Sequence, residues 1–343
     1  VGWWTRAFGG DARAPRDVDS ALRKALLAAL DRDLERAERM LRHAVRLDAD
    51  AIEPFQALGR LFRMRGEIGR AIRIHQNLLL RADRATEEGV ELVAELAADF
   101  RQGGFLRRAI ASYEEVLARD PRHREALRAL AALLAEVREF PRAIAMERRL
   151  ARVEGRDAAP GEAKLRVEMA RAAWAEGRSE EALRAVKKAL RKDAGSVDAW
   201  IVLGELEAER GRTRAALAAW KRVPHLDRRA GPRVYPQLAA TYAALGRTRD
   251  YEKLLRELLD ARPDDAAARL ALARDLAGRG DVDEAIGELQ RELARHPDDL
   301  EARGTLGRLL LSERRDLEAA KEYGELLAVL ERQGWTRPRE PLE

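Results

Sequence analysis

The sequence predicts an all-α protein, a right-handed superhelical solenoid of about nine helical hairpins, and three observations predict it. A small residue recurs at a near-constant interval, a second small residue precedes it by a fixed distance, and a glycine usually falls between the two. Neither compact cleft nor sheet follows from such a period.

The recurring position is Ala37, Ala71, Ala109, Ala143, Ala182, Ala216, Tyr251, Ala285 and Ala319, with successive spacings of 34, 38, 34, 39, 34, 35, 34 and 34 residues. Twelve residues earlier stand Ala25, Gly59, Ala97, Ala131, Ala170, Gly204, Ala239, Ala273 and Gly307. Two helices cross closely only where side chains are short, so one small residue on each helix marks the crossing of an antiparallel pair. One turn after the anchor comes a larger group: Leu41, His75, Tyr113, Glu147, Val186, Trp220, Leu255, Leu289 and Tyr323. Glu147 alone is unsuited to packing.

Between the paired helices lie Gly66, Gly104, Gly177, Gly211, Gly246 and Gly280, where glycine supplies the left-handed backbone that ends a helix. Pro121, Pro263 and Pro297, twelve residues after the anchor, close second helices. Asp281 with Glu284, and Ser179 with Glu180 and Glu181, stand where helices should begin. The two long periods place loop insertions around Asp83 to Glu87 and around Gly155 to Gly161, the second a point of flexure. The division expected is a linker over residues 1–17, the solenoid over 18–333 and a tail over 334–343.

Composition agrees with a folded helical protein: 46% hydrophobic, 36% charged and 5% aromatic. The net charge of +5 comes from 65 basic and 60 acidic groups, a mixed surface and not the clustered basic footprint of a nucleic-acid binder. With no cysteine there is no disulfide, thiol nucleophile or thiolate metal site in this sequence, and the five histidines form no ligand pair. No nucleophile and base constellation or phosphate loop is legible, so no catalytic residue is assigned. No cofactor is expected in this segment. No apolar run reaches the roughly 20 residues that cross a bilayer, yet the opening Val1-Gly2-Trp3-Trp4 carries an aromatic pair typical of a membrane interface and predicts a segment upstream.

Hairpins of this period and pattern resemble tetratricopeptide repeats, and residues 58–79 narrow the likeness. They read LGRLFRMRGEIGRAIRIHQNLL. A generic repeat needs Leu58, Gly59, Phe62, Gly66, Ala71 and a large residue at 75; it has no use for Arg63, Arg65, Arg70, Arg73, Gln76 or Asn77. The string resembles the second hairpin of the lipopolysaccharide assembly protein B (LapB) family, and Gly2-Trp3-Trp4 resembles the segment that follows that family's membrane helix. The resemblance implies an adaptor at the cytoplasmic face of the inner membrane of a Gram-negative bacterium. It would regulate lipid A synthesis by presenting the LpxC deacetylase to the membrane protease FtsH. It also implies a zinc site in a rubredoxin-like C-terminal domain with paired CxxC motifs. This sequence has no Cys and closes on Arg337-Pro338-Arg339-Glu340-Pro341-Leu342-Glu343, which reads as the repeats without that domain.

Candidate partner-binding residues follow from register. On first helices, positions one and four after the small residue line the inner face: Arg60 and Arg63, Ala98 and Arg101, Arg171 and Trp174, Arg274, Arg308. Arg60, Arg63 and Arg101 should gather into a basic patch suited to carboxylates, for which the forked guanidinium is fitted. The plainer reading has them solvated or paired with Glu53, Glu67 and Glu91. Arg65 joins them from the diagnostic string; Arg70, Arg73 and Asn77 line the outer side of a second helix. His75, Trp200 and Trp220 read as packing residues, Trp174 as a contact anchor, and Trp335 as a cap on the last repeat.

Two rivals are weaker. A receptor for C-terminal carboxylates needs inner Asn and Lys, and the single Asn here is Asn77. An RNA-reading repeat needs a recurring polar pair, and none recurs. A general protein-binding scaffold in envelope or secretion assembly remains the alternative to the adaptor.

Overall fold

The computed structural model describes residues 15–334. Among these there are eighteen α-helices, one 3-10 helix and no strand. The helices pair as nine antiparallel hairpins: α1 (Pro15–Leu30) with α2 (Leu34–Leu47), α3 (Ile52–Met64) with α4 (Ile68–Leu79), α5 (Glu87–Gln102) with α6 (Leu106–Arg119), and α7 (Arg124–Glu136) with α8 (Phe140–Glu154). Then follow α9 (Ala159–Ala175) and α10 (Ser179–Lys192), α11 (Val197–Glu209) and α12 (Thr213–Leu226), α13 (Tyr235–Ala244) and α14 (Thr248–Ala261), α15 (Ala266–Arg279) and α16 (Val282–Arg295), α17 (Leu300–Ser312) and α18 (Asp316–Arg332). Compact packing divides the chain into two units, Val1–Met169 and Ala170–Glu343, each with its own apolar core.

The anchors form those cores. Every alanine of the second-helix series is buried, as are Ala25, Ala97, Ala131, Ala170 and Ala273 opposite. Where the first-helix residue is glycine, the large group of the same hairpin rests on its Cα. A methyl group at Gly59 would come within 2.6 Å of His75, at Gly204 within 2.2 Å of Trp220, and at Gly307 within 2.9 Å of Tyr323. Glu147, the misfit of the series, sits against Gly161 and takes a 2.8 Å bond from Arg156.

The elbow of each hairpin lies five residues before the anchor, always with positive φ. Glycine fills it in six hairpins, and Arg32, Arg138 and Arg314 fill it in the other three, at φ 61°, 63° and 56°. Helix starts differ from expectation in detail. Asp281 precedes α16 without a side-chain cap bond, and Ser179 is the first residue of α10. Side-chain caps come instead from Asp33, Thr86, His123, Asp265 and Asp299. The insertion near Gly155 is shorter than its sequence implied, because α9 begins at Ala159 with Pro160 in its first turn, where a missing N–H costs nothing.

One ion pair recurs at the start of second helices with its order reversed between the units. It is acid first in Glu67–Arg70 and Glu139–Arg142, and arginine first in Arg178–Glu181, Arg247–Asp250 and Arg315–Glu318. Both orders set a carboxylate at the positive end of the helix, at the N-cap position in the first case and in the first turn in the second.

The seventh hairpin breaks the pattern. After α12 the chain makes a 3-10 turn over Arg228–Arg233, α13 has ten residues, and its neighbour offers Tyr251 where an alanine is usual. Tyr251 stacks on Tyr242 at 5.9 Å, and its hydroxyl donates to the Tyr235 carbonyl at 3.2 Å. Among the described residues no helix is long and apolar enough to cross a membrane, and Gly2, Trp3, Trp4 and Trp335, with the rest of the tail beyond Gly334, lie outside those residues.

Candidate functional site

The arginines of the diagnostic stretch are held by acids from neighbouring helices. Arg60 reaches Glu95 of α5 at 2.5 Å, and Arg63 donates to Glu95 Oε2 at 2.7 Å, to the Glu95 carbonyl at 3.1 Å and to Asp99 Oδ1 at 2.8 Å. The other Asp99 oxygen faces His75 Nδ1 at 2.6 Å. Arg60, Glu95, Arg63, Asp99 and His75 thus form one chain of contacts across α3, α4 and α5, exposed at Arg60 and fully buried at its far end.

Electrostatics follows the geometry. Burial works to lower the Arg63 guanidinium, but Glu95 and Asp99 outweigh it and hold it above its ordinary value. Burial likewise pushes the Glu95 carboxyl up, and hydrogen bonds from Arg60 and Arg63 reverse this and hold it low. The expected basic patch is therefore largely neutralised at Arg60 and Arg63. The acids that neutralise it are Glu95 and Asp99, and Glu91, an expected partner, lies 3.3 Å from His123 instead. Arg101 keeps the inner register, and its side chain has no hydrogen-bond or ion-pair partner among the described residues; it and Arg63 both oppose the rise that burial gives the Tyr113 phenol.

Around α4 the same sorting applies. Arg65 pairs with Glu38 and, at 3.0 Å, with Glu67. Arg70 pairs with Glu67 and lies 3.7 Å above the Phe62 ring, a stacked cation that also covers the core. Arg73 is exposed and Asn77 partly exposed, and the side chains of both lack partners among the described residues. In the second unit Arg171 stands 3.7 Å from Asp198, which Arg233 holds at 2.7 Å, and the Trp174 indole donates to Glu209. Burial raises the nearby Glu205 carboxyl, with Arg171 and Arg233 opposing it.

A simple signal would have found these partners: opposite charges one period apart. Arg60 and Glu95, Arg63 and Asp99, Arg228 and Asp264, Arg233 and Asp198, and Arg332 and Asp298 are separated by 34 to 36 residues, so each pair is about one period apart in the chain. A cavity of about 530 Å³ that the register does not indicate lies between α13 and α15. It is lined by small or apolar residues, Pro236, Ala240 and Ala243 opposite Ala267 and Leu270.

Comparison with known proteins bears on the hairpins. Residues 173–240 match one tetratricopeptide repeat profile, and residues 95–163, 237–289 and 270–338 match another. The chain belongs to the tetratricopeptide repeat family. As such it is a protein-binding scaffold, and no catalytic domain is identified in it. Lipopolysaccharide assembly protein B of Escherichia coli K12 is 27% identical over 246 residues, 67% of this chain; the chain spans 63% of that relative's length. The protein of the same name from Escherichia coli O157:H7 matches to the same extent. Among solved structures, MamA 41-end from Desulfovibrio magneticus RS-1 is 20% identical, covering 50% of this chain and 96% of its own, with a TM-score of 0.36. Among the described residues of this repeat array no group of three or more acids and histidines could hold a metal ion.

Proposed function

We propose that this repeat array is a non-enzymatic adaptor of the LapB type, which presents an LpxC-like deacetylase to an FtsH-like membrane protease and so sets lipid A output at the cytoplasmic face of the bacterial inner membrane. The observation that carries the reading is the 27% identity to lipopolysaccharide assembly protein B over two thirds of the chain. In this reading the candidate residues fall into two groups. Arg63, Arg65 and Arg70 are engaged within the fold, where they fix the relation of α3, α4 and α5 to their neighbours. Arg60, with a side chain 52% exposed, together with Arg73, Asn77 and Arg101, is left to face partners, and Arg171 and Trp174 supply a second contact area on α9. Zinc, in this reading, belongs to a rubredoxin-like domain that a sequence without cysteine does not supply.

The test is a pull-down with the purified chain as bait and the deacetylase and protease of a Gram-negative bacterium as prey. Retention of both is expected, with Arg101→Glu combined with Arg73→Glu weakening capture of at least one while leaving the helical signal intact. If neither protein is retained the adaptor reading fails, and the family role of protein scaffold, in envelope or secretion assembly, stands alone.

A further inference from the structure

In the second unit the outer helices sort their charge by position. α10 and α12 together hold eight lysines and arginines against two acids, whereas α14, α16 and α18 hold seven against thirteen. Both acids of α10 are spent at its start, Glu180 on Arg210 and Glu181 on Arg178. The remainder of α10 presents Arg184, Lys187, Lys188, Arg191 and Lys192, all of them exposed. Lys221 and Arg222 of α12 follow Lys187 and Lys188 by 34 residues, the spacing of their anchors Ala182 and Ala216, so the four cations hold the same two places on successive outer helices.

The fold has little use for them. Cations in the last turn complement the negative end of a helix, which accounts for Arg191 and Lys192, but Lys187, Lys188, Lys221 and Arg222 lie before that turn. Lys188, Arg191 and Lys221 make no hydrogen bond or ion pair among the described residues, and Lys187 stands 3.8 Å from Glu207 with its side chain 49% exposed. The arginines of α2 differ, for they share their helix with Glu35 and Glu38, and Glu38 alone draws Arg42, Arg65 and Arg70. Lysine is a point charge on a flexible stem, fitted to a field of anions more than to one forked carboxylate. Two groups of another kind stand beside the cations. The Arg222 guanidinium lies 5.9 Å above the Trp200 ring, whose indole N–H donates to the Ala194 carbonyl at 2.9 Å, and Leu226 at the end of α12 is 44% exposed. Unpaired cations with a tryptophan and an uncovered leucine among them make up a surface that meets lipid headgroups.

We propose that the outer face of α10 and α12 is a peripheral docking surface for a bilayer rich in anionic phospholipid, with its lysines and arginines set against the lipid phosphates and Trp200 and Leu226 beside them. The contact is electrostatic and reversible, and it inserts no helix. The same lipid surface repels the acids of α14, α16 and α18, so the charge separation also fixes which part of the unit's outer face turns toward it. This goes beyond the adaptor reading and does not depend on it.

The test is co-sedimentation of the whole chain with vesicles of phosphatidylglycerol and phosphatidylethanolamine, set against vesicles of phosphatidylcholine alone. Expected are partition onto the anionic vesicles only and a steep loss with rising salt. A cation near such a surface is worth about fivefold in partition, so Lys188→Gln combined with Arg191→Gln and Lys221→Gln should weaken it by on the order of 100-fold. The comparison variant, Arg36→Gln with Arg39→Gln and Arg46→Gln on α2, removes as much charge and should lose far less. Lys188, Arg191 and Lys221 are exposed and unpaired among the described residues, so the melting temperature of the parent should be kept; if it is not, the single variants Lys188→Gln and Lys221→Gln decide, each about fivefold weaker. Equal partition onto phosphatidylcholine, no partition at all, or equal losses in the two triple variants overturns the proposal. So does a chain that ignores vesicles but is retained by polyglutamate or shifts a labelled RNA. None of these outcomes touches the capture of deacetylase and protease, which the pull-down reads without lipid.

Discussion

His75 Nδ1 lies 2.6 Å from Asp99 Oδ2, and neither side chain is reached by solvent. The contact joins the second helix of one hairpin to the first helix of the next, and it explains how a histidine can fill a packing position. Its Nδ1 N–H is satisfied by Asp99, whose remaining oxygen accepts from Arg63, while Cε1 and Nε2 lie flat against Gly59. Nε2 has no partner, which assigns the proton to Nδ1, since a buried lone pair is cheaper to leave unpaired than a buried N–H. Asp99→Ala removes the acid that His75 and Arg63 share, and leaving the buried Arg63 charge without it costs about 3 kcal/mol or more. Urea unfolding of the variant should show that loss, with His75→Ala and the double variant non-additive; additive losses would show that the two residues are not coupled.

Gly59 is the floor of the same arrangement. A helical Gly→Ala exchange ordinarily stabilises by about 0.5–1 kcal/mol, and Gly287→Ala, with open space around it, should do so. Gly59→Ala should instead destabilise by about 2 kcal/mol, because the ring it meets is pinned and overpacking has no outlet. Thermal melts of the two variants moving in opposite directions would bear this out.

The elbow residues give the reverse prediction. Arg314 holds φ 56° in an exposed turn where six hairpins use glycine. A left-handed conformation costs a side-chain-bearing residue about 1 kcal/mol, so Arg314→Gly should raise stability by about that amount less the entropy added to the unfolded chain. A melting temperature that falls would argue that Arg314 makes a compensating contact.

Acid sensitivity should centre on Glu162 in the first unit. Hydrogen bonds from Arg148 outweigh the opposing effect of burial, and with those from Arg166 they hold its carboxyl at about 2. Because the folded value lies below that of the unfolded chain, the stabilisation is complete above about pH 5 and is lost as pH falls toward 2. Glu162→Gln should be less stable at pH 7 by on the order of 2 kcal/mol and should show a shallower decline between pH 5 and pH 3 than the parent. Parallel declines in urea midpoint would remove Glu162 as the group responsible.

Tyr251 separates packing from hydrogen bonding in the irregular hairpin. Tyr251→Phe loses only the bond to the Tyr235 carbonyl and should cost about 1 kcal/mol, whereas Tyr251→Ala empties a fully buried site and should cost about 3–5 kcal/mol. Equal losses in chemical denaturation would mean that the ring itself contributes little.

The hairpins were legible because helix crossing is governed by side-chain size, and size is written in the residue types at Ala71 and Gly59 themselves. The elbow was legible only where it was glycine; Arg32, Arg138 and Arg314 hide it, since the backbone there is imposed by the two helices it joins. The fates of Arg60 and Arg63 were not legible from local sequence, because their acids lie on the next hairpin and only three-dimensional stacking brings them within reach. The cavity between α13 and α15 was hidden for a different reason: alanines that line an empty space look the same in sequence as alanines that close a helix crossing.

Ion pairs that span one period also confer order on modules that would otherwise be interchangeable. A hairpin moved elsewhere in the array would keep its anchors and its elbow, yet its charges would no longer meet the partners they pair with here. Arg63 above Asp99, or Arg233 above Asp198, thus serves as an address, a mark by which each unit of the series recognises the one meant to stand next to it.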